Sequence, residues 1–182
     1  RYLPLRPLLL ASVAIAAYNL LFFAAVSRAG VGVGTAVTIG SAPLWVALYD
    51  LSQNRRPTRR KLFGQACAVT GACLLVTSST LQGLSPFGVV LALLAGLSYA
   101  AYSLASSAMS QHAPSSTIAA STFTLAALFV VPVLLLTPWS QTASWALTGI
   151  APYVLLALGV LSTGLAYALY TWGLKALPAS TA

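Results

Sequence analysis

Long apolar runs alternate with short polar breaks along this chain. Six runs are close to the roughly 20 residues that a membrane-crossing helix needs. They cover about 8–27, 32–52, 62–79, 87–109, 116–137 and 149–173. The breaks are "RAG" at 28–30, "QNRRPTRRK" at 53–61, "LQGLSP" at 81–86, "SQHAPSS" at 110–116 and "PWSQTASW" at 138–145. Pro57, Pro86, Pro114 and Pro138 stand at the edges of runs, where proline disturbs a helix least. Apolar residues fill these runs without the two-residue alternation of barrel strands, so the pattern predicts helices. The tail "LPASTA" reads as the start of a seventh. The predicted fold class is all-α: a polytopic membrane helix bundle.

Composition supports the same reading. Hydrophobic residues make up 59% of the 182 residues and charged residues only 5%. A soluble domain carries roughly 25% charged residues, so lipid must solvate most of this surface. The net charge of +8 would suggest nucleic acid in a soluble protein. Here no soluble surface exists to carry such a footprint, and nucleic acid is excluded as a partner. The chain begins at Arg1, and a trimmed N-terminus is the expectation. Cys67 and Cys73 lie in an apolar run without metal-site spacing and read as small buried residues.

Loop charge sets orientation. With the chain start in the cytoplasm, Arg1, Arg6, Arg55, Arg56, Arg59, Arg60, Lys61 and Lys175 all fall inside, and Arg28 alone falls outside. The basic loop at 53–61 then faces anionic lipid headgroups, where each cation contributes about 1 kcal/mol. The only acid, Asp50, ends the second run within reach of Arg55 and Arg56. It reads as an interface pair, because a proton-coupling carboxylate would sit deeper.

Inside the runs the chemistry is small, aromatic and hydroxylic. Gly64, Ala68 and Gly71 stack at helical spacing, as do Gly32 and Ala36, and predict close helix packing. "GVGVG" at 30–34 does not satisfy G-x-G-x-x-G and lacks a strand–helix context, so no nucleotide loop and no cofactor is expected. Pro43 interrupts the second run near its middle, as transporter helices often do where substrate binds. Asn19 is an amide deep in the first run, which must find a partner or a cavity. Tyr18, Trp45, Tyr99, Tyr102, Tyr167 and Trp172 supply aromatic surface. Tyr99 and Tyr102 share a helix face near Ser98, Ser103 and Ser106. The candidate substrate-binding residues are therefore Asn19, Pro43, Trp45, Tyr99, Tyr102 and Tyr167.

"YNLLFFAAVSRAGVGVGTA" at 18–36 and "YALYTWGLKALPASTA" at 167–182 run alike, from an aromatic helix end through one basic residue to "TA". Arg28 falls outside and Lys175 inside, as an inverted repeat requires. "GTAVTIGSAPLWVAL...RRPTRRKLFGQACAVTGACLL", "GVVLALLAGLSYAAYSLASSAM" and "GVLSTGLAYALYTWGLKALPASTA" resemble the EamA-type transporters of the drug/metabolite transporter superfamily. The resemblance covers nearly the whole chain. It implies ten helices in two inverted five-helix repeats, of which this chain would hold the third to eighth and the start of the ninth. Residues 1–80 would close the first repeat, and 81–182 would open a truncated second. Where the family often has Gly-Glu before Arg-Pro, this chain has Asn54 and Arg55, so the loop gains charge and loses an acid.

The resemblance implies a multi-pass protein of a bacterial inner membrane that exports or exchanges small metabolites, amino acids or drugs. Its partners would be the bilayer and a small solute; a homodimer is compatible with the sequence and not required by it. The alternative is a non-transporting membrane subunit or truncated remnant. One His and one Asp, both near loops, give no catalytic constellation, so an enzyme is not expected.

Overall fold

The computed structural model describes residues 3–54, 63–67, 69–71, 74, 85–136 and 148–165. Helix ends fall where the polar breaks place them. Helix α1 spans Leu5–Ala29, α2 Val31–Ser52, α3 Pro86–Met109 and α4 Ser115–Leu136. Helix α5, Ala151–Ala157, continues as a π-helix over Leu158–Leu165. Helices α1 to α4 are long and apolar enough to cross a bilayer. The chain is an all-α membrane helix bundle. The third predicted span, 62–79, lies largely outside the described residues, though 63–67, 69–71 and Leu74 are helical. Arg55, Arg56, Arg59, Arg60, Lys61 and Tyr167 also lie outside them.

Local chemistry explains the boundaries. Ser85 caps α3, its hydroxyl accepting from the Gly88 N–H at 3.4 Å, and Pro86 takes the first helical position. Proline is tolerated there because that N–H has no helical partner. Between α1 and α2 stands a single residue, Gly30, at φ 81° and ψ 160°. That conformation is essentially reserved for glycine. The "GVGVG" run is thus a helix–helix joint: Gly30 turns the chain, and Gly34 lets α2 close onto α1, where an added Cβ would lie 3.1 Å from the Val26 Cα. Gly30→Ala is expected to cost about 1–3 kcal/mol, read as a lower melting temperature in detergent. An unchanged melting temperature would contradict the strained joint.

Burial is sorted by size. The interior holds Ala11, Ala14, Ala16, Ala25, Ala92 and Ala95, while Leu5, Phe23, Ile39, Phe87 and Leu128 are exposed. Lipid tails solvate large apolar side chains as well as a protein core does, so nothing drives them inward. Small residues instead let backbones approach. At Gly96 of α3 an added Cβ would collide with the Ser41 Oγ and stand 2.9 Å from the Thr38 carbonyl oxygen. One turn away, the Thr38 hydroxyl donates to the Ala92 carbonyl at 3.2 Å, pinning α2 to α3.

The same contacts fix helix direction. Gly88 lies against Ala29, and the Arg28 guanidinium lies 4.7 Å from the centre of the Phe87 ring. The end of α1 therefore meets the start of α3. Those two helices are antiparallel, and α2 and α3 run the same way. Helix α4 adds Ile118 and Ala126, which pack in clusters with Ala11 and with Ile15 and Ala16 of α1.

Two expectations fail. No described atom lies within 4 Å of the Cβ position of Gly64 or Gly71, so no described neighbour packs closely on them. Cys67, expected to be buried, is exposed and unpaired. All three lie on faces of their helical segment that no described residue covers.

Candidate solute-binding site

A cavity of about 430 Å³ opens where α1, α2 and α3 meet. Helix α1 contributes Tyr18; α2 contributes Thr38, Ile39, Ala42, Pro43 and Val46; α3 contributes Tyr99, Ala100 and Ser103. None of these residues is an acid, a lysine, an arginine or a histidine. The volume suits a small organic molecule. Its wall combines aromatic faces with hydroxyls.

Proline shapes the α2 wall. Pro43 has no N–H to give the carbonyl four residues back, that of Ile39, and both residues line the cavity. The break leaves a backbone acceptor to be satisfied from outside the helical ladder. On its other side the Pro43 carbonyl accepts from the Gln65 Nε2 at 3.1 Å, so the helical segment after the basic loop is tied to α2 at the break.

The aromatic wall is one continuous row. Tyr18 and Tyr99 have ring centres 5.3 Å apart at 52°. Tyr18 also stacks on Phe22 at 5.7 Å, and Phe22 meets Phe23 edge-on at 5.6 Å. Tyr99 meets Tyr102 at 5.9 Å, and Tyr102 meets Phe123 of α4 at 6.3 Å. Pairs of this kind contribute about 0.5–1.5 kcal/mol each beyond area burial. The row holds the two cavity tyrosines in place.

The sequence candidates separate in three dimensions. Pro43 and Tyr99 line the cavity, and Tyr102 stands behind Tyr99. Asn19 is half-buried, and its amide donates to the Ile15 carbonyl at 2.8 Å within α1. One of its two amide N–H donors is thus satisfied within its own helix. Asn19→Ala is therefore expected to change transport less than twofold, checked by initial rates in proteoliposomes; a tenfold loss would return the amide to the site. Trp45 lines a different groove, described below. Thr38, Gln65 and Gly96 were not singled out in the sequence, whereas Ser103 was named beside Tyr99 and Tyr102 and lines the cavity with Tyr99. Ala92, Gly96 and Ala100, small residues four apart, carried the available signal for the close crossing.

Sequence comparison places this arrangement among known proteins. The profile of the EamA-like transporter family matches residues 86–182. "Uncharacterized transporter YwfM" of Bacillus subtilis (strain 168) is 36% identical over 174 residues, which is 95% of this chain. The chain belongs to the EamA-like transporter family. It spans 57% of the length of the Bacillus relative. No solved structure matches. EamA membership agrees with the resemblance carried by the apolar motifs and, with the apolar helices, makes this a multi-pass membrane protein. It also points to a transporter rather than an enzyme.

Proposed function

We propose that this EamA chain forms the solute-binding part of a secondary transporter for small organic metabolites, amino acids or drugs. The observation that carries the reading is the cavity of about 430 Å³, whose described lining residues carry no charge, set at the Pro43 break. Transporters of inverted-repeat design bind substrate at the repeat interface, on interrupted helices. Helices α1 and α2 belong to residues 1–80, the proposed end of the first repeat, and α3 opens the second. The family match starting at residue 86 supports that division.

The lining defines the solute class. The described lining is aromatic, hydroxylic and apolar. Two tyrosine rings give flat apolar contact, while the Ser103 and tyrosine hydroxyls offer hydrogen bonds. An amphipathic solute with a flat apolar face and a few polar groups fits this wall. Alternating access rocks one repeat against the other about the α2–α3 contact. The start of the chain and the 53–61 loop lie on the cytoplasmic side of a bacterial inner membrane. The 53–61 loop carries the orienting charge.

The natural full-length protein in proteoliposomes, offered a panel of amino acids, metabolites and aromatic drugs, tests the proposal. At least one solute should move down its gradient faster than in empty liposomes, and Tyr99→Ala should slow it. Indifference to the whole panel would favour a non-transporting membrane subunit.

A further inference from the structure

A second groove, of about 520 Å³, lies between the start of α1 and the ends of α2 and α3. It shares only Ala100 with the solute cavity. Three observations describe what it accepts. Arg6, an exposed cation, stands at the α1 end. Trp45 lines the wall. The remaining wall is apolar and extends along α3 from Leu97 to Ala108, about 16 Å at the rise of a helix.

We infer that this groove holds one anionic phospholipid of the cytoplasmic leaflet. Arg6 supplies the charge complementary to the phosphate. The face of the Trp45 ring packs against the lipid, and an acyl chain lies along Leu97 and Leu104. The length of the groove suits a chain rather than a compact solute. The sequence adds a further reason: Arg55, Arg56, Arg59, Arg60 and Lys61 follow α2 at the same end and concentrate anionic lipid there. On this reading Trp45 serves lipid binding rather than solute recognition. The inference does not depend on transport.

Native mass spectrometry of the full-length protein from nanodiscs of phosphatidylglycerol and phosphatidylcholine in equal amounts tests it. The wild type should retain phosphatidylglycerol preferentially. Arg6→Gln should lower that preference about fivefold, the contribution of one cation near a membrane surface. Trp45→Ala removes the ring from the wall and should lower retention of both lipids. Ala101→Leu fills the groove wall and should expel the lipid even if Trp45→Ala fails to fold. Equal retention of the two lipids by the wild type would overturn the inference. So would an equal fall with Arg28→Gln at the opposite end, which would mean diffuse charge attraction. Cross-linking of two copies through Leu104→Cys would give the groove to a second chain and overturn it as well.

Discussion

Gly96→Leu is expected to separate α2 from α3 and to remove most of the monodisperse protein from a detergent extract. The glycine faces the Ser41 hydroxyl, which can rotate away, and the α2 backbone, which cannot. Its Cβ position is 2.9 Å from the Thr38 carbonyl oxygen and 3.4 Å from the Ala42 nitrogen. Helix α2 must move as a body to admit a side chain. A single added methyl overpacks such a contact by about 1–3 kcal/mol. Alanine recovers up to about 1 kcal/mol through its better helix propensity, so Gly96→Ala should be mildly destabilising. Leucine recovers nearly as much but brings three further carbons that the crossing cannot admit. It also breaks the Thr38–Ala92 hydrogen bond, worth about 0.6 kcal/mol in a membrane. Size-exclusion profiles and melting temperatures should rank wild type above alanine and alanine well above leucine. A leucine variant as stable as wild type would mean that the crossing is looser than described.

Tyr99→Ala should raise the apparent KM for a transported solute by about fivefold to thirtyfold, roughly 1–2 kcal/mol, because Tyr99 is 42% exposed and only full burial of such a side chain is worth about 1.5–3 kcal/mol. Tyr99 lines the cavity and joins Tyr18 to Tyr102. Its loss removes one flat wall and unseats the facing ring. Tyr99→Phe keeps the ring and loses the hydroxyl; its cost should be near one hydrogen bond, about 0.5–1.5 kcal/mol, or a few-fold in KM. If the two substitutions were equally damaging, the hydroxyl rather than the ring would govern recognition. If neither changed KM, the solute would bind elsewhere.

Helix positions were legible because lipid demands long apolar runs, and prolines and serines mark their ends. Pro86 and Ser85 show this at α3. Which way each side chain points was harder to read. Pro43 and Trp45 are neighbours in sequence, yet two residues turn a helix by about 200°, and the pair line different grooves. Tyr99 and Tyr102 are three apart and stay together, as the spacing predicted. Asn19 looked unsatisfied because sequence cannot show a side-chain amide folding back onto its own helix. Gly64 and Gly71 resembled packing glycines, but lipid and protein both tolerate small apolar residues, so composition could not tell a covered face from an open one. Thr38 was hidden for a related reason: a lone hydroxyl in an apolar run can bond within its helix, to a neighbour or to a solute.

The central claim is that a transported solute occupies the cavity between α1, α2 and α3. Cysteine protection tests it most directly. Cys67 and Cys73 are first replaced by alanine, and Ser103→Cys and Ala101→Cys are made separately in that background. Ser103 lines the solute cavity and Ala101 the second groove. The alkylation rate of each thiol is then measured against rising concentrations of a solute that the protein moves. The account predicts that solute slows alkylation at Ser103→Cys, half-maximally near its transport KM, and leaves Ala101→Cys unaffected. Transport that proceeds while Ser103→Cys stays unprotected at saturating solute would contradict it.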